Sequence, residues 1–383
     1  MTLEATRSCC RQLLHGLVSQ QHIALRINDL ARWHGSRASA GRRPIPTNPK
    51  ACTTEFLMQQ NIRFGCLAAA LFFAVPLVHA APYTLSTGSG DGSVTLGVDG
   101  YGSFGGSVGS DATDAVYNPI GSLGAAGTSY ESAVAIRFGT TGSRQFLTSG
   151  DIGGSSGLTN PLVTGSGTAG SSSFTFGGLS FSLQQTLATL TSGSTQTGSL
   201  LTQTYTITNT GSAASVFEMV RYFDGDLDFD GSLIDGGGRI ILDGLEVLFE
   251  TDTAAGTSTE TTFVGITGEG GTNATGRYQV SGYSGLRGSV LAGTALNNLI
   301  QGDSADADQF VDAGDGYDIT LALVNQFNLA AGGTATYTTR TIFGSGAPED
   351  IVVTPPPAGT VPEPGTLALL LAGAGALALR RKR

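Results

Sequence analysis

From Val94 onward the apolar residues of this chain recur at every second position, and that period limits what the chain can become. Val94, Leu96 and Val98 alternate with other residues, as do Val134, Ile136 and Phe138, then Phe174 and Phe176, then Leu179, Phe181 and Leu183. The spacing returns in Tyr205 and Ile207, in Ile319, Leu321 and Leu323, and in Ala335, Tyr337, Thr339 and Thr341. Successive side chains of a strand point to opposite faces, so each run presents one face to a core and one to solvent. Gly, Ser, Thr, Asn and Asp punctuate the runs and suit tight turns between antiparallel strands. No helical period of similar length competes, and Val290 to Ile300 has room for a short helical turn at best. The expected fold is all-β: an antiparallel β-sandwich, immunoglobulin-like or larger, with short targeting helices on either side. No internal repeat of about 20 to 50 residues points to a solenoid instead.

Composition removes whole classes of chemistry. Residues 81–360 contain no Cys, His, Trp or Lys, seven Arg and 26 Asp plus Glu. Without thiol or imidazole this body cannot run Ser-His-Asp or Cys-His catalysis, and it offers no His/Cys zinc site. Disulfides are equally excluded from it, so packing and cations must stabilise an exported body. Phosphate binding needs clustered Lys and Arg, so nucleic acid is excluded as a partner. Some 280 residues can bury a sizeable core, in one large domain or two. The stretch 174–346 carries the clearer strands, whereas 81–173 is rich in Gly, Ser and Thr.

The two ends read as targeting segments. From Met58 the chain has one cation, Arg63, then an apolar stretch from Phe64 to Val78, then Val78-His79-Ala80-Ala81. This order is that of a secretory signal peptide over 58–80, cut after Ala80 and delivered by the Sec export machinery. Residues 1–57 differ from everything downstream, holding eight of the twenty cations, the single Trp and three of four Cys. They read as an upstream extension of the reading frame, with a disordered basic leader as the alternative. At the other end, Thr354-Pro355-Pro356-Pro357 opens a stiff Pro-rich linker over 355–360. Then Val361-Pro362-Glu363-Pro364-Gly365-Thr366 leads into an apolar run, Leu367 to Leu379, closed by Arg380-Arg381-Lys382-Arg383.

The physics of that tail is specific. Two prolines fix the backbone and delay any helix until after Pro364. A helix over 366–379 would reach roughly 21 Å, short of a hydrocarbon core of about 30 Å, and the terminal cations would hold its end at the cytoplasmic side. The segment 361–383 resembles the PEP-CTERM sorting signal of exported Gram-negative proteins. That resemblance implies cutting near Pro362-Glu363-Pro364 by an inner-membrane exosortase, transient anchoring by the short helix, and co-occurrence with polysaccharide export. Delivery to the cell surface or an exopolysaccharide matrix is the implied destination.

Within the body, Gln203 to Gly211 reads as a strand entering a turn, and Phe327 to Thr334 precedes a strand ending at Phe343. The pair resembles immunoglobulin-like sandwiches of bacterial surface proteins, which speaks to fold and not to function.

One run stands out chemically. Asp224, Asp226, Asp228 and Asp230 would share one face of a strand continuing from Val216, with Phe223, Leu227 and Phe229 on the other. Alternatively Asp226, Asp228, Asp230 and Gly231 match the D-x-D-x-D-G opening of a calcium loop, with Asp235 as a late ligand. The twelfth position is Gly237 where an EF-hand needs Glu, so the match is to looser extracellular loops. The candidate metal ligands are therefore Asp226, Asp228, Asp230 and Asp235, for Ca²⁺; the competing reading is an acidic edge that discourages aggregation. Asp303, Asp306, Asp308, Asp312, Asp315 and Asp318 lack comparable spacing and read as a solvated loop, with a metal role as the alternative.

The leading functional expectation is an exported, non-enzymatic surface or matrix protein. A calcium-dependent carbohydrate-binding or adhesive module is the first alternative. A glycosidase built on two carboxylates is the second; its candidates Glu218 and Glu246 sit among apolar neighbours, where alternation would turn them to solvent.

Overall fold

The computed structural model describes residues 83–346 except 109–111, 122, 150–160, 162 and 254–261, and also residue 348. The leader, the signal peptide with Val78, Ala80 and Ala81, the linker, and the tail with Pro362, Glu363, Pro364, Arg380, Arg381, Lys382 and Arg383 lie outside the described residues. So does the short helix expected over 366–379. Among the described residues no helix is long and apolar enough to cross a membrane.

Three sheets make up the body. A small one pairs β1 (Tyr83–Ser86), β2 (Val94–Val98), β3 (Val116–Tyr117) and β4 (Ala126–Gly127) in that order. The six-stranded sheet runs β16 (Leu299–Ile300), β15 (Thr272–Gly282), β17 (Ile319–Leu329), β11 (Ser215–Gly225), β5 (Ser129–Phe138) and β6 (Gln145–Phe146). The eight-stranded sheet runs β12 (Gly236–Leu242), β13 (Leu245–Thr251), β14 (Thr262–Ile266), β18 (Thr334–Ser345), β10 (Thr195–Asn209), β9 (Leu179–Ser192), β8 (Ala169–Phe176) and β7 (Thr164–Ser166). All pairings are antiparallel except the two-residue contact of β15 with β16. The result is the larger of the two sandwiches expected.

The alternation in the sequence maps onto the two faces of these sheets. Phe181, Leu183, Tyr205, Ile207 and Tyr337 from the large sheet pack against Val134, Ile136, Phe217, Met219 and Phe327 from the six-stranded one. Phe217 and Phe327 stack with ring centroids 5.0 Å apart, and burial of each such side chain contributes roughly 1.5 to 3 kcal/mol. A second part of the core brings in Leu85, Val94, Leu96 and Val98, so the Gly/Ser/Thr-rich N-terminal stretch belongs to the same folded body. The Phe176 to Leu179 hairpin turns on Gly177 and Gly178, whose φ values of 56° and 82° are those a two-residue turn between twisted strands requires.

Two arches tie the layers together. The segments 210–214 and 330–333 carry the chain from one sheet to the other, and Asn209 links them by donating to the carbonyls of Ala213, Leu329 and Ala330. The second segment thus crosses the sandwich and is not a hairpin within one sheet.

The helix appears earlier than expected, as α1 (Tyr283–Ala292), closed by Gly293 in the left-handed conformation at φ 75°. Its apolar stripe is only Leu286 and Val290, too short to register as a period, yet both are buried against Ala133, Val220, Tyr222 and Ala322. The helix thereby covers the outer face of the six-stranded sheet, which an isolated sandwich would leave wet.

Candidate functional site

The arginines of the body are already committed. Arg137 and Arg144 both bridge Glu218, Arg239 and Arg277 both bridge Glu246, Arg287 grips Glu131 with two nitrogens, and Arg340 bridges Glu269. The seventh, Arg221, is fully buried between the sheets, donating to the carbonyls of Ala133 and Tyr222 and to the hydroxyls of Ser132 and Thr341. Its guanidinium carbon lies 5.9 Å from the ring centres of both Phe104 and Phe223, and burial lowers its pKa to about 10.

These ion pairs correct the expectation for the two glutamates. Glu218 is buried, at 3% exposure, because α1 and its flanking segments cover the face that alternation alone assigns to water. Glu246 has each oxygen held by an arginine, at 2.7 and 2.8 Å, on the wall of a polar groove of about 580 Å³ beside Tyr278. Each carboxylate is thus paired with two arginines where it stands.

The acidic run after Phe223 also departs from the strand geometry expected for it. β11 ends at Gly225, with a register shift against β5 between Asp224 and Gly225, so Asp224 alone of the four aspartates lies on a strand. Residues 226–234 form a loop, recaptured where Asp235 and Tyr317 exchange two backbone hydrogen bonds of 3.0 Å. Its middle is pinned by the Phe229 N–H donating to Asp252 at 2.9 Å. Asp226 is half-buried, Asp228 and Asp230 are exposed, and Asp235 is buried. Asp230 spends an oxygen on the Ser232 amide of its own turn, and Gly231 supplies the φ of 84° that the turn needs.

The four expected ligands therefore do not converge. Among the described residues, the group of three carboxylates whose oxygens lie within 4.8 Å of one another is Asp303, Asp306 and Asp308, in the run read first as a solvated loop and second as a metal site. Gln309, Asp308 and Phe310 amides donate to these three side chains in turn, and Asp312 accepts from Ser304 and Ala305. The loop's own backbone draws the carboxylates together; sequence spacing gave no sign of it.

Asp235 instead meets a residue that sequence reasoning passed over. Glu250, near the end of β13, is fully buried, and its carboxylate fills the space where a Cβ on Gly225 would stand. Neither Glu250 oxygen accepts from an N–H or hydroxyl group, and one oxygen each of Asp235 and Asp224 is likewise without such a donor, while a carboxyl proton can link Asp235 to Glu250. Burial pushes Glu250 well above the usual carboxylate range, reinforced by the adjacent Asp235. Asp235 rises to about 8, chiefly by burial and also through Asp252, Asp230 and Asp318. Asp224 also rises to about 8, by burial and then by Asp318, Asp226 and Glu131. Asp226 reaches about 6 for the same two kinds of reason, burial first and Asp318 second. Asp318, half-buried beside the start of β17, acts on all four. A Glu closing the otherwise apolar run Val247 to Phe249 was the available sequence signal.

This end of the molecule thus defines a class: an all-β sandwich whose strand ends gather buried, unneutralised carboxylates. Residues 360–383 match the PEP-CTERM protein-sorting motif, so the chain ends in a PEP-CTERM sorting signal. No curated protein matches the chain in sequence. Among solved structures, a polysaccharide lyase is similar at 10% identity and TM-score 0.31 over 58% of this chain and 26% of its own. A galactose mutarotase-like protein from Lactobacillus casei is similar at 10% identity and TM-score 0.30 over 68% of this chain and 100% of its own. Likeness of that degree carries no argument about what this chain does.

Proposed function

We propose that this chain is an exported, non-enzymatic β-sandwich protein of the cell surface or exopolysaccharide matrix, sorted and processed by an exosortase-like system. The observation that carries the reading is the sorting motif at 360–383 attached to an acidic body. A Sec-type signal peptide over 58–80 delivers the chain to the membrane, and the C-terminal helix holds it there until it is cut. A non-enzymatic role is supported by the lack of His and Cys in residues 81–360 and by Glu218 and Glu246, each bound by two arginines. Intact-mass measurement of surface-released protein tests this: the mature species should lack Arg380 to Arg383, and a strain without exosortase should retain them. A released protein that still carries the basic tail rules the reading out.

A second reading, a calcium-dependent carbohydrate-binding or adhesive module, is favoured by the convergence of Asp303, Asp306 and Asp308. Glycan binding that disappears with chelator and in Asp308→Asn supports it. Binding indifferent to both removes it.

A further inference from the structure

We propose that Asp235 and Glu250 form a buried binding site for a divalent cation of calcium type, distinct from the exposed Asp303, Asp306 and Asp308 loop. The two residues stand on the two arms of the β12–β13 hairpin. Asp235 is fixed by its double backbone bridge to Tyr317 at the entrance of β12, and Glu250 stands near the end of β13. Gly225, at the end of β11, leaves the Glu250 carboxylate its room. Both carboxylates are nine-tenths or more buried, at 2% and 0% exposure, and three of their four oxygens lack an N–H or hydroxyl donor.

Burial of acceptors without donors is costly, and native structures provide a partner for almost all of them. No cationic side chain is free to provide one, so the two carboxyls either share a proton between them or hold a cation. Six of the seven body arginines are bridged to glutamates, Arg221 is locked in the core, and residues 81–360 hold no Lys or His. A cation from solution would displace that shared proton, and carboxylate oxygens select a hard one. Asp318, half-buried, adds its negative charge to the surroundings of both. A hard divalent ion held by two protein carboxylates completes its shell with water.

The reading is independent of where the protein is sorted. The test uses the purified full chain, stripped with chelator and titrated with Ca²⁺ alone, and with Mg²⁺ in parallel. Wild type should gain about 5 °C in Tm at Ca²⁺ near a hundredfold its Kd. Glu250→Gln should be at least as stable as the stripped wild type and should lose that gain, as should Asp235→Asn. Asp306→Asn with Asp308→Asn should keep it. A gain that survives Glu250→Gln and Asp235→Asn, or is lost only in the loop variant, overturns the assignment. So does a wild type whose melting ignores Ca²⁺, in which case the two carboxyls merely share a proton.

Discussion

A side chain on Gly225 and the carboxylate of Glu250 would occupy the same space. The glycine has no left-handed backbone requirement, so its small size is the point. Gly225→Ala should therefore destabilise the body by about 1 to 3 kcal/mol, as overpacking does, measured by urea denaturation. Combined with Glu250→Ala, the cost should fall by more than about 0.5 kcal/mol relative to additivity. Strict additivity would mean the two residues do not compete for room.

The same carboxylates make stability depend on pH in an unusual direction. Asp224 and Asp235 have pKa values raised to about 8, and Glu250 is raised well above its ordinary value, whereas the unfolded chain ionises near pH 4. The folded state thus holds more protons, and stability is fully present below the unfolded values. It is lost as pH rises from about 4 through 8, with a slope of up to about 1.4 kcal/mol per pH unit for each proton held. In chelator, Tm should fall between pH 5 and pH 9. A flat or rising profile would contradict the burial of these groups.

Removing Glu218 leaves two arginines without their carboxylate in a covered site. Glu218→Ala should cost about 3 to 5 kcal/mol, because an uncompensated buried charge is worse than none. The control is Glu246→Ala, in a more open groove, where the loss should be clearly smaller. Equal losses would show that cover by α1 adds nothing.

Sorting should reside in the tail alone. Residues 355–383 fused to an unrelated exported reporter should send it to the compartment that holds this protein, with the basic end removed. Replacing Pro362, Glu363 and Pro364 by alanine in that fusion should leave it membrane-bound. A fusion that is secreted unprocessed would place the information in the body instead.

Much of the architecture was legible because strand alternation is a local property. Leu179, Phe181 and Leu183, or Ile319, Leu321 and Leu323, name their buried face without reference to any partner. Glu218 follows the same alternation and yet is buried, because α1 reaches that face from residues far along the chain. The helix itself was hard to see, since two buried residues, Leu286 and Val290, leave almost no periodic trace. The acidic run was visible, but its geometry was not: Asp228 and Asp230 are exposed, while Asp303, Asp306 and Asp308 draw together.

Sequence alone determined the class of fold, the exclusion of thiol and imidazole chemistry, and the sorting signal, because each depends on residue type and short-range order. Only tertiary structure decided which carboxylates are buried and which are neutralised. Asp235, just before β12, and Glu250, on β13, stand on the two arms of one hairpin, but the room for their meeting is left by Gly225, on a strand of the other sheet. Burial and charge pairing are sums over neighbours in space, and no local pattern along the chain contains that sum.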